Sequence, residues 1–303
     1  METRVLPFSD ESIAQAARLI LAGEPVAVPT ETVYGLAADA TNPEAVARIY
    51  EAKGRPSFNP LIVHVPDIGA AQEIGDLGPE AVALAQQHWP GPLTLVVPLK
   101  ESAAIASIAT AGLATVGLRV PDHPAMQALL RACGRPLAAP SANASGAISP
   151  TRAAHVLKSL GGRIPLIIDG GATRRGIEST IVGATGGPLR LLRRGPVEVD
   201  ATPVSGSSIE APGQLASHYA PSKPLRLDAV DADDDEFLIG FGEVAGTASL
   251  SAAGDLVEAA SRLFDLLHEA DASASARIAV APVPQEGLGA AMNDRLRRAA
   301  ARG

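Results

Sequence analysis

The stretch PTETVYGLAADATNPEAVARIYEAKGRPSFNPLIVHV, residues 29–65, has a strand, helix, strand pattern and the chain's densest set of polar and charged side chains. An apolar run at residues 25–29 leads into it and another at residues 61–65 closes it, and such short runs are typical of buried strands. Between them, Asn42 with Pro43 predicts a helix start and Gly54 a helix end. Thr30, Glu31 and Thr32 follow the first strand, at the end where ligands bind in open α/β sheets.

Helical and strand patterns continue on both sides of this stretch. Their apolar spacing predicts helices at residues 9–22, 79–88, 124–133 and 152–160, and strands at residues 93–97, 115–120, 136–140, 165–169, 179–182 and 189–193. Strands that alternate with helices, followed by consecutive strands, indicate a mixed α/β sheet. We assign these elements to a first domain, residues 1–198.

Proline, glycine, serine and alanine become frequent from residue 195 to residue 224, which is typical of a domain boundary. We predict a linker at residues 199–224, although its segment QLASHYAP carries His218 and Tyr219, which are unusual in an inert spacer. Beyond it, strands at residues 225–227, 236–240 and 277–280 and helices at residues 254–270 and 289–301 predict a small α/β domain, residues 225–303.

Length and composition fit a globular protein with two domains. The 303 residues are 47% hydrophobic, 19% charged and 3% aromatic. The formal net charge of -8 argues against a protein that grips nucleic acid over its whole surface. Arginines are frequent between residues 152 and 194 and suit an anionic ligand, whereas the acidic run from Asp228 to Glu236 is typical of a solvated loop.

The single cysteine, Cys133, excludes an internal disulfide and any cluster of cysteine ligands for a metal, which suits a reducing compartment. We see no secretory signal in the first residues, METRVLPFSDESI. No apolar run approaches the roughly 20 residues that a bilayer span needs, so we expect no membrane association and a cytoplasmic location.

The sequence lacks the Walker motif GxxxxGK[ST] and the hydrolase motifs GxSxG and HExxH. Hydroxyl, amide and cationic groups instead stand near predicted strand ends: Thr32, Lys53, Arg55, Asn59, His64, Arg119, Ser141, Asn143, Ser149, Ser179 and Arg193. Guanidinium and ammonium groups neutralise phosphate and carboxylate oxygens. The set is typical of a phosphoryl centre that works by positioning and charge neutralisation.

Each of these side chains also has a purely structural interpretation. Lys53 and Arg55 flank a helix end, where cations favourably meet the helix dipole. His64 in an apolar strand is more often a core histidine than a ligand contact, and Arg119 is able to pair with a buried acid. The serines and Asn143 suit turns and caps. Taken singly, most of these positions favour the structural interpretation.

The motifs taken together resemble a known family. TETVYGLAAD, KGR at residues 53–55, NPLIVHV, WPGPLTLV, GLRVP, APSAN and ESTIV occur in the order seen in the YrdC-like threonylcarbamoyl-adenylate synthases. HYAP and GLGAAMNDRLRRAA look like the long form of that family, which has a small C-terminal domain. The resemblance implies a mixed, twisted sheet with helices around a concave cleft, followed by a small Rossmann-like α/β domain.

The resemblance also implies a nucleotidyltransferase reaction, in which L-threonine, bicarbonate and ATP give threonylcarbamoyl-AMP and pyrophosphate. It implies Lys53 and Arg55 as the catalytic pair, both near the phosphates. The threonine contacts that it implies are Thr32, His64, Arg119, Ala139 and Ser179. The ATP contacts that it implies are Arg55, Asn59, Thr115, Ser141, Asn143, Ser149, Arg193 and Tyr219.

Magnesium is expected with the nucleotide, although the sequence shows no carboxylate cluster that would hold the ion without phosphates. The product is expected to pass to a complex that builds the threonylcarbamoyl modification of adenosine 37 in tRNA. His218 and Tyr219 are expected to fold over the cleft as a lid.

Two other functions remain open at this point. A tRNA-binding or translation-associated factor would use the central arginines, but the low aromatic content and acidic balance argue against it. A carbamoyl-adenylate former of hydrogenase maturation would share the YrdC-like core, but the zinc-finger cysteines are absent.

Overall fold

The computed structural model describes residues 2–56, 59–204, 210–213 and 218–301. Within them one mixed sheet has eleven strands, in the spatial order β1 (Arg4–Pro7), β8 (Leu166–Asp169), β2 (Val26–Pro29), β3 (Tyr34–Asp39), β7 (Leu137–Ala138), β4 (Ile62–His64), β6 (Thr115–Arg119), β5 (Leu93–Pro98), β9 (Thr180–Gly183), β10 (Arg190–Arg193) and β11 (Thr202–Pro203). β4 runs parallel to β6, whereas β7 is antiparallel to both β3 and β4. The predicted mixed α/β sheet is confirmed.

Helices cover both faces of this sheet: α1 (Asp10–Leu21), α2 (Pro43–Lys53), α3 (Ile68–Ile74), α4 (Pro79–His88), α5 (Pro124–Cys133) and α6 (Ala153–Leu160). Helices α1 and α5 pack in one apolar cluster, and α2, α3, α4 and α6 in another. Along β2, Val26 and Val28 belong to the first cluster and Ala27 to the second. Successive strand residues face opposite sides, so the sheet is buried between two helical layers.

The ends of α2 place the central motif. The Asn42 side chain accepts hydrogen bonds from the amides of Glu44 and Ala45, and Pro43 occupies the first turn. Gly54 adopts a left-handed conformation with φ +59° and ends the helix, as predicted from the sequence. On either side of this turn, Lys53 bonds to the carbonyls of Ser141 and Asn143, and Arg55 bonds to those of Asn59 and Pro60.

A second sheet follows, in the order β12 (Leu225–Arg226), β15 (Arg277–Val280), β13 (Glu236–Gly240) and β14 (Ala248–Ser249), and all neighbours within it are parallel. Helices α7 (Leu256–Ala272) and α8 (Gly287–Ala300) complete this α/β unit. Its apolar core also contains Val33, Ile148, Ile177 and Tyr219. The two units therefore pack against each other through a shared core.

Several elements differ from the sequence prediction. The prediction missed β1, β3, α3, β11 and β14, and β7 is shorter than the predicted strand at residues 136–140. All six residues of β3 are buried, so they lack the polar and apolar alternation that marks a half-exposed strand. Helices α7 and α8 begin at Leu256 and Gly287, two residues away from the predicted starts.

The predicted linker, residues 199–224, lies partly outside the described residues, at 205–209 and 214–217. Near its start, β11 adds to the large sheet by pairing in parallel with β10. The domain boundaries at residues 198 and 224 stay predictions. In the parts of the chain that are described, no helix is both long and apolar enough to cross a membrane.

The acidic run is not simply a solvated loop. Glu236 is buried and pairs with Arg226, while Arg277 pairs with Asp233 and Asp235. Acidic residues of the run therefore pair with two arginines. A buried carboxylate such as Glu236 needs a charged partner, and a count of charges in the sequence does not reveal that Glu236 is buried.

Candidate active site

One small cavity of about 50 Å³ gathers eight of the predicted side chains. Its lining residues are Thr32, Val33, Arg55, Ile62, His64, Arg119, Ala139, Pro140, Ser141, Glu178, Arg193, Pro212, Gly213, His218 and Tyr219. Eight of the predicted site residues are among them: Thr32, Arg55, His64, Arg119, Ala139, Ser141, Arg193 and Tyr219. Among the described residues that line it, three arginines face one carboxylate, Glu178, so the cavity suits an anionic ligand.

The predicted threonine contacts meet at the ends of neighbouring strands. His64 and Arg119 are opposite each other in the parallel pair β4 and β6. Arg119 Nη2 donates to Thr32 Oγ1 at 3.0 Å, which ties the strand ends to the loop after β2. Ala139 follows β7 and donates its amide to the carbonyl of Ile62 at 3.0 Å. The strand register, rather than sequence proximity, brings these groups together.

His64 is a neutral imidazole in this setting. Burial, and next the positive charge of Arg119, lower its pKa to about 3. Its Nδ1 is buried and has no hydrogen-bond partner among the described residues, although the ring lines the cavity. A buried polar atom without a partner is costly, so this nitrogen is suited to a hydrogen bond with a bound ligand.

Arg193 and Arg55 line the cavity together with the predicted threonine contacts. Arg193 Nε donates to the carbonyl of Ser179 at 3.0 Å and its Nη2 to Ser179 Oγ at 3.1 Å. Arg55 Nη2 donates to the carbonyls of Asn59 at 3.3 Å and Pro60 at 3.1 Å. Burial lowers the pKa of Arg55 to about 10, which leaves it charged near neutral pH. Ser179 and Asn59 thus support the arginines from behind.

Lys53 lies behind the cavity wall rather than in it. Its Nζ donates to the carbonyl oxygens of Ser141 at 2.6 Å and Asn143 at 2.5 Å. Burial, and next the charge of Arg55, hold its pKa well below the usual lysine value. The contacts of Lys53 fix the turn that carries Ser141 into the cavity, so the Lys53 and Ser141 motifs form one structural unit.

The remaining predicted residues surround the cavity without lining it in the described part of the chain. Asn143 uses Nδ2 to donate to the carbonyls of Ala144 and Ala147. Ser149 Oγ donates to Glu178 Oε1 at 2.5 Å. Thr115, the first residue of β6, is paired with Pro98 of β5 and does not line the cavity. Its predicted contact with ATP therefore gains no support from the cavity.

Part of the linker covers one side of the cavity. Tyr219 is buried, has φ +64° and stacks at a tilt on Phe264 of α7, with ring centroids 5.5 Å apart. The next residue, Ala220, donates its amide to the carbonyl of Gly146 at 2.8 Å. Gly213 lies so close to the Tyr219 hydroxyl that an added Cβ would be 2.8 Å from it. These contacts seat the linker on both units.

Sequence reasoning assigned no role to Glu31, Glu178, His268 and Arg295. Glu31 pairs with Arg119, the buried acid that the structural interpretation of Arg119 requires. Glu178 pairs with Arg295 of α8. Glu31 and Glu178 lie within the motifs TETVYGLAAD and ESTIV, which is the one signal that the sequence offered. Arg295 is 0% exposed, and nothing in its local sequence distinguishes it from the arginines next to it.

Three of the seven arginines between residues 152 and 194 form ion pairs within the protein. Arg152 pairs with Asp265, Arg174 with Asp122 and Arg190 with Glu210. Paired guanidinium groups offer little to a phosphate backbone, so this surface does not favour the RNA-binding alternative.

The described residues do not by themselves form a magnesium site. No group of three or more His, Cys, Asp or Glu side chains among them is arranged to hold a metal ion. The cavity carboxylate, Glu178, is already engaged by Ser149 and Arg295. Magnesium prefers carboxylate and phosphate oxygens, so an ion here would depend on the ligand's phosphates.

Two family models match the chain. The Sua5, YciO and YrdC model, described as "Telomere recombination", matches residues 18–195. The model described as "Threonylcarbamoyl-AMP synthase, C-terminal domain" matches residues 173–301.

Curated and solved relatives cover nearly the whole chain. The threonylcarbamoyl-AMP synthase of Bacillus subtilis is 41% identical over 98% of this chain and 95% of its own length. That of Pyrococcus abyssi is 41% identical over 94% of this chain and 92% of its own. The crystal structure of P. abyssi Sua5 complexed with L-threonine matches with a TM-score of 0.89 and 36% identity, over 99% of this chain and 97% of that one. The chain therefore belongs to the Sua5, YciO and YrdC family, in the form that carries the threonylcarbamoyl-AMP synthase C-terminal domain.

Proposed function

We propose that this protein is an L-threonylcarbamoyladenylate synthase, a nucleotidyltransferase that converts L-threonine, bicarbonate and ATP into threonylcarbamoyl-AMP, pyrophosphate and water. Relatives with the name threonylcarbamoyl-AMP synthase, similar over almost their full length, support this activity. The match to a Sua5 structure complexed with L-threonine supports threonine as a substrate.

One observation carries the proposal. Arg119, His64 and Thr32 line the same small cavity as the arginine pair Arg55 and Arg193. The first group suits a small amino acid, because it offers a cation for a carboxylate and uncharged partners for polar groups. The second group suits the phosphates of a nucleotide. Two substrates that must react together need such adjoining sites.

At the amino-acid end, we propose that Arg119 binds the threonine carboxylate, with Thr32, His64, Ser179 and the backbone of Ala139 completing the site. The neutral threonine amine takes up carbon dioxide formed from bicarbonate and releases a proton, giving a carbamate. A neutral His64 adds a hydrogen bond there without a second positive charge. Closure of the linker over the bound substrates would keep water from this short-lived carbamate.

At the nucleotide end, a carbamate oxygen attacks the α-phosphorus of ATP in line, and the bond to the pyrophosphate oxygen breaks. We propose that Arg55 and Arg193 offset the charge that develops on the phosphates. The other residues of the proposed nucleotide site are Ser141, Asn143, Ser149, Asn59, Thr115 and Tyr219. Lys53 acts through the Ser141 turn that it holds. We propose that magnesium enters the site bound to the phosphates of ATP.

The cavity is too small for its proposed occupants. A volume of about 50 Å³ is on the order of one or two water molecules, far less than ATP and threonine need. Pro212, Gly213, His218 and Tyr219 supply one side of it. We therefore propose that this part of the linker moves out to admit substrates and returns to cover them.

The product would serve the modification of adenosine 37 in tRNA, after transfer to a tRNA-modifying complex, in the cytoplasm.

Pyrophosphate release tests the activity directly. The purified protein is incubated with ATP and magnesium, with threonine and bicarbonate added singly or together. We expect release when both are present, with threonylcarbamoyl-AMP detected by mass spectrometry. Release that is independent of either addition would contradict the proposal. The alternative function is tested by titrating the protein with a defined tRNA. Binding of the tRNA without threonine-dependent pyrophosphate release would favour a tRNA-binding factor over a synthase.

A further inference from the structure

Glu31 is a buried carboxylate next to the cavity but not in its lining. The residue is 1% exposed and follows β2. Its Oε1 accepts a hydrogen bond from Arg119 Nη2 at 2.6 Å, and its Oε2 accepts one from the amide of Asp122 at 3.0 Å. Both oxygens of the carboxylate are therefore engaged, one by the arginine and one by the backbone.

The backbone of Glu31 is fixed as firmly as its side chain. Its carbonyl accepts a hydrogen bond from the amide of Arg175 at 2.8 Å. On either side, Thr30 Oγ1 contacts Thr32 Oγ1 at 2.8 Å and donates to the carbonyl of Val33 at 2.7 Å. Glu31 thus joins three segments: the loop after β2, the end of β6 and the loop before β9. A carboxylate held this way cannot follow its partner if the partner turns.

Arg119 is held on one side and open on the other. Its Nη2 donates to Glu31 and Thr32, and its Nε makes a longer contact of 3.4 Å with the carbonyl of Gly91. Its Nη1 makes no hydrogen bond with any described residue, although the side chain lines the cavity. A guanidinium has five N–H donors in a rigid plane, so fixing one edge fixes the direction of the others.

We propose that Glu31 is a positioning residue that holds Arg119 with its free Nη1 edge directed to the substrate carboxylate, and so determines how strongly the site recognises that carboxylate. The inference rests on the proposed function, which makes threonine the occupant. Without Glu31, the arginine is free to rotate or to bind another buried acceptor. Recognition of the carboxylate then weakens, while the nucleotide end is untouched.

A conventional ion pair that stabilises the fold is the competing explanation, and the chain offers a matched control for it. Glu236 has a fully buried side chain and pairs with Arg226 in the second unit, remote from the cavity lining. Glu31→Gln and Glu236→Gln each remove one buried carboxylate charge from an arginine pair with little change in volume. A general loss of stability would affect both variants similarly.

The experiment measures threonine and ATP recognition separately. Threonine affinity is measured by calorimetry, and the KM for threonine, the KM for ATP and kcat by pyrophosphate release. For Glu31→Gln we expect threonine affinity to fall and its KM to rise, each by roughly 10-fold or more, as for a lost hydrogen bond to a charged group. The KM for ATP should stay within about 2-fold, and Glu236→Gln should leave both KM values unchanged.

L-Threoninamide, which lacks the carboxylate, isolates the contact. As a competitive inhibitor, it should be weakened by Glu31→Gln much less than threonine is, because its neutral amide has no negative charge to pair with Arg119. In an Arg119→Ala background, Glu31→Gln should add no further loss of threonine affinity. Unchanged threonine affinity in folded Glu31→Gln would overturn the proposal, as would equal weakening of threonine and threoninamide. Calorimetry needs no turnover, so failure of the synthase activity would be seen separately in wild type.

Discussion

Arg295, on α8 of the second unit, donates from Nε to Oε2 of Glu178 at 3.1 Å, and both side chains are buried. The other oxygen of Glu178 accepts from Ser149 Oγ. His268 of α7 contacts the carbonyl of Ser149 through Nε2 at 3.1 Å. The second unit therefore holds Ser149 on two sides, although none of the described residues beyond Tyr219 lines the cavity.

Replacement of Arg295 by methionine should lower both stability and nucleotide binding. It leaves the buried Glu178 without its cationic partner, which costs about 3–5 kcal/mol of unfolding free energy. It also frees Ser149 and removes the cation beside the Tyr219 ring, 5.7 Å from its centroid. Urea unfolding and the KM for ATP are the measurements. Arg297→Met, an exposed change on the same helix, is the control.

A second substitution separates stability from function in this pair. Combining Glu178→Gln with Arg295→Met removes both charges and should recover much of the lost stability. The KM for ATP should stay raised, because Ser149 has lost its carboxylate partner. Wild-type stability and a wild-type KM for ATP in Arg295→Met would show that the ion pair neither stabilises the fold nor supports nucleotide binding.

Lys53→Met should reduce activity by roughly 10²-fold, the loss expected when a reacting group shifts by about 1 Å. The substitution leaves the carbonyls of Ser141 and Asn143 without their shared donor, so the turn is no longer fixed. Pyrophosphate release is the measurement, and exposed Lys158→Met is the control. Activity equal to wild type would leave Lys53 as a helix-end cation with no part in the site.

Gly213→Ala should weaken closure of the linker. Its φ is +84°, and an added Cβ would lie 2.8 Å from the Tyr219 hydroxyl and 3.1 Å from Arg193 Cδ. We expect a lower kcat/KM for ATP. Gly242→Ala is the matched control, because φ is +57° there and no atom lies within 4 Å of the added Cβ. Equal activity of the two variants would mean that backbone strain alone matters.

Acid should loosen the contact between the two units through stacked histidines. His155 of α6 and His268 of α7 have ring centroids 3.8 Å apart. Burial lowers the pKa of both rings to about 4. The pKa of His155 is lowered further by the charges of Arg152 and Lys158 and raised by that of Asp265. The pKa of His268 is lowered further by the charges of His155 and Lys158 and raised by that of Asp271.

The sign of the pH effect follows from that lowering. Between pH 6.5 and about 4 the unfolded chain binds protons that the folded protein does not, so stability falls as pH falls. Each ring contributes at most about 1.4 kcal/mol per pH unit in that window. Above pH 7 the pair contributes no slope. Replacing both histidines with glutamine should flatten the profile in urea unfolding, and an unchanged slope would assign the acid sensitivity to other groups.

Local signals in the sequence predicted the elements that the site depends on. Asn42 and Gly54 fix the ends of α2 by capping chemistry that involves a few adjacent residues. Helices α4 and α5 also have the predicted bounds, and each has a proline in its first turn. Strand β3 escaped prediction because it is buried on both faces, a property set by distant neighbours.

The sequence by itself determined which chemical groups stand near strand ends, because that depends on local periodicity and caps. It did not determine what they touch. Lys53 turned out to hold backbone carbonyls, and Arg119 a glutamate 88 positions away in the chain. Only the tertiary structure decided that Arg295 reaches Glu178 from the second unit, 117 positions apart. A buried charge takes whichever partner the fold presents, and that choice is made by packing over long sequence distances.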